Sequence, residues 1–330
     1  MGKKLTRRGY DEHSIAYIMK ARRESTQKTY SVYLRKWARF CMTHTFKFYS
    51  PKIPQVCSFL SGLARKGLHY GGMNIARSSL SAVLNKVDGY QVGKHPDVCL
   101  LVKGVYHHNP GGPRYERFWN VNKIFDLFRK WGSNVFLSLK LLTFKTALLI
   151  LLVTSQRGQT VVNLDVSTLE LGTEAVFRLK VLLKHNRPGD PLDTVILRPY
   201  PDEPILCVVT TLKAYLSRTK NFRPEPAGLL LSYIFPYKPI KRDTLANWAK
   251  EVFRMAGLSD KYKLHSTRGA TASAAKRLGV ALNSIMKHAK WRCVQSFAKH
   301  YDKDIDQENE EVSATLLRSS RPTQGKGHRK

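Results

Sequence analysis

The segment 107–117 divides this chain into two parts with different sequence patterns. Its first residues, HHNPGGPRY, contain glycines and prolines that interrupt any regular periodicity. Helical spacing of apolar residues precedes the segment, whereas helical and β-rich patterns alternate after it. We therefore predict a linker at 107–117 between domains at 25–106 and 118–305, in a mainly α protein with a small β-sheet. His107 and His108 could suggest a metal, but no third ligand lies near them, and a solvated linker is favoured.

The predicted N-terminal domain is entirely α-helical. Apolar spacing indicates four helices, which begin near Ser25 and then occupy Pro51–Lys66, Met73–Lys86 and Asp97–Tyr106. Gly71 and Gly72 are interpreted as a break before the third helix. The aromatic residues that recur at helical spacing in this domain are assigned to its core. Three basic residues of the same helices are candidates for phosphate contacts: Lys28, Lys36 and Arg77. Residues 1–24 are predicted to form a basic arm with one short helix.

The predicted C-terminal domain mixes helices with one β region. The apolar segment Phe136–Val153 contains Lys140 and Lys145, and its uninterrupted part is far shorter than the roughly 20 residues of a membrane span. A buried helix is therefore predicted there. Two β-rich runs, Ala175–Leu183 and Thr194–Leu197, flank the turn sequence HNRPGDPLD. Further amphipathic helices are predicted at Ile205–Leu216 and Thr244–Ala256.

The charge balance makes nucleic acid the first partner to consider. Lys and Arg number 56 against 24 Asp and Glu, a formal net charge of +32. Such an excess repels itself unless it faces a polyanion. A membrane surface and a ribosomal-type role remain alternatives on charge alone. The five scattered cysteines form no CxxC pair, which favours reduced thiols inside a cell over a disulfide or zinc framework. The start MGKKLT fits an N-myristoylation pattern, although such short patterns often arise by chance.

The segment 261–302 contains the residues best suited to phosphate chemistry. His265 and Arg268 are three apart, so a helix that begins there places both side chains on one face. Thr267 is a candidate N-cap for the run Gly269–Leu278. Arg grips two phosphate oxygens, and His can donate a hydrogen bond or transfer a proton. Trp291 and Tyr301 follow on a basic, aromatic background, in which Lys290 and Arg292 are further candidates for DNA contacts.

This arrangement resembles the catalytic core of the tyrosine recombinases, and in particular the DIRS and Ngaro type found in eukaryotic mobile elements. The resemblance rests on the order His265-x-x-Arg268, Trp291 and Tyr301, with Phe297 and His300 also in matching places. SQRGQT at 155–160 resembles the segment of the first catalytic arginine, Arg157, and LLKHNRPGD resembles the hairpin with the catalytic lysine, Lys184. Many relatives have an acidic residue at the position of Thr160, which is therefore given no catalytic role. The resemblance covers residues 25–305.

The resemblance implies a fold and a reaction. The fold would be a helical core-binding (SAM-like) domain that closes over DNA, followed by a mixed α+β catalytic domain. Tyr301 would attack a phosphodiester held by Arg157, Arg268, His265 and Trp291, and form a 3′-phosphotyrosine, while Lys184 would protonate the leaving 5′-oxygen. No metal, ATP or other cofactor is implied. Family members act as tetramers on two paired sites in double-stranded DNA, in integration or excision of an element.

Two alternatives remain at this point. A type IB topoisomerase shares the chemistry but relaxes supercoils as a monomer, and a protein derived from a mobile element could bind DNA without cutting it. Filled catalytic positions, compact size and a separate helical domain favour the recombinase. The tail 306–330 is acidic and then basic, and is predicted to be flexible. Its basic end is weak support for a nuclear location.

Overall fold

The computed structural model describes residues 2–6, 8–184, 186–225 and 228–305. The chain separates into two compact units, Met1–Gly112 and Pro113–Lys330. The boundary between them falls inside the segment 107–117. The predicted fold class, mainly α with a small β-sheet, is confirmed. The predicted tail at 306–330 lies outside the described residues.

The first unit is built from α-helices around one apolar core. Its helices are α1 (Gly2–Thr6), α2 (Glu12–Lys20), α3 (Glu24–Thr43), α4 (Ile53–Arg65), α5 (Tyr70–Ser81) and α6 (Pro96–His108). Trp37 on α3 is fully buried, packs edge-on against Phe59 of α4, and donates its indole N–H to the Phe48 carbonyl. Helices α3, α4 and α6 pack around α5 through this core, with Met73, Leu80 and Val98 buried in it.

Three features of the first unit differ from the sequence expectation. Residues 1–24 contain two helices rather than one. Gly71 and Gly72 lie inside α5 instead of before it, and the ring of Tyr70, at the first position of α5, packs against Tyr106 and supports that first turn. Helix α6 continues to His108, so His107 and His108 are helical rather than part of the linker.

The second unit combines eight helices with a three-stranded sheet in its described residues. The helices are α7 (Asn122–Trp131), α8 (Leu139–Thr154), α9 (Gly158–Val162), α10 (Val208–Thr219), α11 (Arg242–Met255), α12 (Ser266–Arg277), α13 (Leu282–His288) and α14 (Val294–His300). The strands β1 (Leu169–Leu171), β2 (Ala175–Arg178) and β3 (Thr194–Leu197) are antiparallel in the order β1-β2-β3, with Phe177 opposite Leu169 and Val195.

Helix α8 is the centre of the second unit. Twelve of its 16 residues are buried, because α10, α11, α12 and β3 pack around it. An all-round apolar helix is expected in such a position. In the part of the chain that the structure describes, no helix has the length and apolar character needed to cross a membrane. Helix α8 therefore serves as the support on which the surrounding helices are placed.

Strand β2 is shorter than predicted. It ends at Arg178 rather than Leu183, because Lys180 turns aside to pair with Asp165 and Ser167. Beyond it, the amide of Leu183 is bonded to the side chain of Asn186 instead of a strand partner. Lys184 consequently lies in the loop between β2 and β3, and not at the end of a strand.

Candidate active site

The first turn of α12 places His265 and Arg268 on the same side of the second unit. His265 occupies the N-cap position and Arg268 lies three residues later. The predicted N-cap, Thr267, is wrong, because Thr267 is inside the helix and its hydroxyl donates to the Leu264 carbonyl. The backbone of α12 lies directly against Phe118, since a Cβ at Gly269 would stand 1.9 Å from the Phe118 ring. Glycine at this position is what allows α12 to pack so closely.

Arg268 is a buried cation with hydrogen-bond donors to spare. Only 1% of the residue is exposed. One terminal nitrogen, Nη2, donates to the Ala289 carbonyl at 2.9 Å, and the guanidinium lies 4.7 Å from the centre of the Trp291 ring. Its Nε and Nη1 have no hydrogen-bond partner among the described residues. Because an unpaired buried donor is costly, these two nitrogens indicate a missing acceptor.

Trp291 and Tyr301 complete a compact cluster around Arg268. Trp291 is buried and its indole N–H also lacks an acceptor within the described residues. The Trp291 and Tyr301 rings are 4.6 Å apart, and Phe297 supports Trp291 from α14. The Tyr301 hydroxyl lies 3.0 Å from Nε2 of His265. A potential nucleophile, a proton acceptor and three unused donors are therefore neighbours.

The main chain at Tyr301 is anchored to α12. The buried Ser273 hydroxyl donates to the Tyr301 carbonyl at 2.6 Å, and the Lys303 amide donates back to Ser273 at 3.4 Å. Lys276 pairs with Asp302 at 2.5 Å. These bonds fix the residue after α14 relative to the helix that carries Arg268. Sequence reasoning does not single out Ser273, which has no local pattern to distinguish it from other helical serines.

Arg157 approaches the cluster from the turn after α8. Ser155 adopts a left-handed conformation that ends α8, and its hydroxyl is 2.8 Å from that of Thr271 on α12. A Cβ at Gly158 would stand 2.5 Å from a methyl group of Leu264, so the turn packs tightly beside the residue that precedes His265. Arg157 is near enough for its charge to lower the pKa values of both His265 and Arg268.

His265 favours its neutral form. The residue as a whole is still open to solvent, but partial desolvation of its ring lowers its pKa to about 4, and the charges of four arginines add to the effect: Arg268, Arg157, Arg114 and Arg242. A neutral imidazole has one donor and one acceptor nitrogen, so Nε2 can accept the Tyr301 proton. Burial lowers the pKa of Arg268 as well, but the nearby Tyr301 opposes this and the guanidinium stays charged. Sequence reasoning misses Arg114 and Arg242, because neither belongs to a motif.

The remaining predicted residues are not part of the cluster. Lys184 is exposed and makes no hydrogen bond or ion pair with any of these residues within the described chain. Lys180, the other lysine between β2 and β3, is bound to Asp165. Lys290 pairs with Asp193 and the Thr194 carbonyl, and Arg292 pairs with Asp190, so both tie the segment before α14 to the β2–β3 loop.

The three candidates for DNA contact in the first unit have separate environments. Lys28 forms an exposed ion pair with Glu24, and Lys36 lies over the ring of Tyr33. Arg77 donates a hydrogen bond to the Cys99 sulfur. Together with Arg22 and Lys94, it lines a cavity of about 410 Å³. The DNA contacts of Lys28, Lys36 and Arg77 stay a prediction.

The arrangement suits attack on a phosphate diester. Tetrahedral phosphate oxygens would satisfy the unused donors of Arg268 and Trp291, with Arg157 adding charge. Among the described residues, no group of three or more His, Cys, Asp or Glu side chains has the geometry to hold a metal. The cluster itself offers cations and N–H groups, which suit an oxyanion rather than a metal ion.

Solved structures with this fold include site-specific recombinases and integrases. The chain is similar to a XerH site-specific recombinase bound to difH substrate, at 13% identity, with 88% of this chain and 79% of that chain covered and a TM-score of 0.57. It is also similar to a Tn1549 transposon integrase in complex with transposon right end DNA, at 12% identity, with 82% and 86% covered and a TM-score of 0.53. No family model and no curated protein sequence matches the chain. At such identities the likeness establishes the tyrosine recombinase fold.

Proposed function

We propose that this protein is a site-specific DNA recombinase, with Tyr301 as the nucleophile. One observation carries the proposal. The Tyr301 hydroxyl lies 3.0 Å from a neutral His265 and beside the buried Arg268 and Trp291. Three donor nitrogens of Arg268 and Trp291 have no acceptor within the described structure. The net charge of +32 and a fold shared with DNA-bound recombinases support DNA as the substrate.

The reaction follows from the positions of these groups. A tyrosine hydroxyl carries its proton at neutral pH, so Nε2 of His265 accepts this proton as the Tyr301 oxygen attacks phosphorus. The new bond joins Tyr301 to the 3′-phosphate, and the bond from phosphorus to the 5′-oxygen breaks. Arg268, Trp291 and Arg157 stabilise the charge on the non-bridging oxygens. The leaving oxygen needs a proton, for which Lys184 is the proposed source.

The reverse reaction with another strand's 5′-hydroxyl rejoins the DNA. The phosphotyrosine conserves the energy of the broken bond, so the cycle requires neither ATP nor a metal. We assign the protein to integration or excision of a mobile element of the DIRS or Ngaro type, acting as a homotetramer on two paired DNA sites in the nucleus. The element type, the reaction and the tetramer come from the sequence resemblance, and the nuclear location comes from the basic end of the tail.

The proposal is tested by trapping the covalent intermediate. The full chain is incubated with a randomised library of nicked duplexes, in which the short cleaved strand diffuses away, and protein-bound DNA is recovered under denaturing conditions. We expect adducts that are selective for sequence and unaffected by EDTA. Tyr301→Phe should bind DNA as the parent does and form no adduct, whereas Tyr262→Phe, which alters a buried ring in the same unit, should still form it.

Other outcomes identify the alternatives. DNA binding by the parent without any adduct would indicate a protein that no longer cuts. Relaxation of supercoiled plasmid without joining of two duplexes would indicate a topoisomerase. An adduct that forms only with added Mg²⁺ would contradict the mechanism.

A further inference from the structure

A cavity of about 310 Å³ opens beside the Tyr301–His265 pair. It is lined by Pro113, Arg114, Tyr115, Phe118, His265, His300, Tyr301 and Lys303. The cavity lies entirely within the second unit. The nucleophile and its proton acceptor therefore form one wall of a space that continues past them.

Among the described residues, the charged side chains that line this cavity are positive. Arg114 and Lys303 line it, and no Asp or Glu does so among the described residues. The neighbouring acid Asp302 is paired with Lys276 instead. Arg114 rests over the Tyr115 ring, with 5.6 Å between the guanidinium carbon and the ring centre, and makes no ion pair in the described structure. Arg114 is exposed and Lys303 half-buried, so both cations remain available to an anion that enters the cavity.

A second feature of the same cavity points to a missing acceptor. Tyr115 is only 8% exposed, and its hydroxyl has no hydrogen-bond partner among the described residues. The ring is held between Phe118 and Tyr262, so its position is fixed by packing. A buried hydroxyl without a partner is uncommon and indicates a ligand or a water.

We propose that this cavity binds the phosphate next to the scissile one, with Arg114, Lys303 and Tyr115 as its ligands. The inference rests on the proposed function and extends it. A strand held at two successive phosphates cannot slide, so the cavity would fix which phosphorus faces Tyr301. Arg114 is thus assigned to substrate positioning. This role explains why Arg114, which belongs to no recognised motif, lies close enough to lower the pKa of His265.

The test is a double-mutant cycle between Arg114 and a DNA phosphate, on a duplex that forms the adduct in the trapping experiment. An uncharged methylphosphonate replaces the phosphate on one side of the scissile phosphate, and then the phosphate on the other side. The rate of adduct formation is measured with each duplex for the parent and for Arg114→Ala. With the parent, one of the two replacements should slow the reaction roughly tenfold to a hundredfold, the range for a hydrogen bond to a charged group. With Arg114→Ala, adduct formation on the all-phosphate duplex should already be slow, and the same methylphosphonate replacement should not slow it further.

Matched variants separate contact from general charge or folding. Arg117→Ala removes the same charge from the same segment but at a residue that does not line the cavity, and it should retain the response to the methylphosphonate. Tyr115→Phe removes only the unpaired hydroxyl, so it should slow the reaction without lowering thermal stability. If neither replacement slows the parent, or if the effects of Arg114→Ala and the replacement multiply, the inference is wrong. Failure of the parent to form any adduct would instead count against the proposed function.

Discussion

Arg268 and Lys145 are both buried cations of the second unit, yet their surroundings differ. Lys145, in the middle of α8, is 0% exposed, and its Nζ donates to the Gly132 carbonyl. Burial lowers its pKa to about 8, so a modest rise in pH neutralises it. Arg268 remains charged, and has two unused nitrogens beside Tyr301 and Trp291.

This difference shows what identifies a functional cation. Burial alone is common to both residues and lowers the pKa of both. Arg268 is distinguished by a fork of unused donors that suits an added oxyanion, and by a tyrosine and a neutral histidine within reach of that anion. Lys145 has none of these neighbours among the described contacts, and its expected effect is on stability.

The largest expected effect is loss of adduct formation when the fork of Arg268 is removed. Arg268→Lys keeps a positive charge but loses the planar donors, and we expect the rate of adduct formation to fall roughly 10²- to 10³-fold. Lys145→Met should leave this rate within about twofold, as a change away from the reacting groups. Thermal melts of both variants would confirm folding. An equal fall in the rate of adduct formation for Arg268→Lys and Lys145→Met would show that Arg268 has no special role in the reaction.

A smaller effect is expected for the unused indole N–H. Trp291→Phe retains an aromatic ring between Arg268 and Tyr301 and removes one donor, so the adduct rate should fall about tenfold with little change in stability. Trp119→Phe is the matched control, because its N–H is already bonded to Ser266 at 2.9 Å. That variant should lose about 1 kcal/mol of stability instead. The reverse pattern would mean that Trp291 is a structural residue.

No effect on the reaction is expected from Lys145, whose burial should instead lower the stability of the fold. Its folded-state pKa, about 8, lies below the value of roughly 10.4 in an unfolded chain. The unfolded protein binds more protons between these values, so the free energy of unfolding should rise as pH increases through this window and be lowest below it. Lys145→Met should raise stability at neutral pH by roughly 1–3 kcal/mol and flatten this rise.

Urea unfolding at several pH values measures this effect. Lys140→Met is the control on the same helix, because Lys140 is partly exposed and paired with Glu251. It should change stability by about 0.5 kcal/mol or less and retain the pH dependence. A parent protein whose stability is flat from neutral pH to about 10 would show that Lys145 is not the strained cation described here.

The sequence is informative where chemistry is carried by short spacings. His265 and Arg268 share one helical turn, and their spacing alone is enough to predict that they lie on one face. Trp291 and Tyr301 are linked to them only by resemblance, since their contacts depend on how α13 and α14 fold back on α12. Periodicity also predicts the helical first unit and the β region, although the N-cap at Thr267 and the length of β2 are wrong.

What the sequence does not predict depends on contacts between distant residues. Arg114 lies in a segment without periodicity, and its nearness to His265 follows from the way Phe118 packs against Gly269. The same holds for Ser273, whose importance comes from a bond to the Tyr301 carbonyl. Lys184 is the converse case: its motif singles it out, but within the described chain its loop does not bring it into a bond with the cluster.

The proposed reaction attaches Tyr301 covalently to DNA. Peptide mapping by mass spectrometry of the trapped adduct, after nuclease and protease digestion, tests this attachment directly. We expect a nucleotide remnant on the peptide that contains Tyr301, linked through a phosphate to a 3′-oxygen. A remnant on the peptide of Tyr262 or on any other residue, or a remnant linked through a 5′-oxygen, would contradict it.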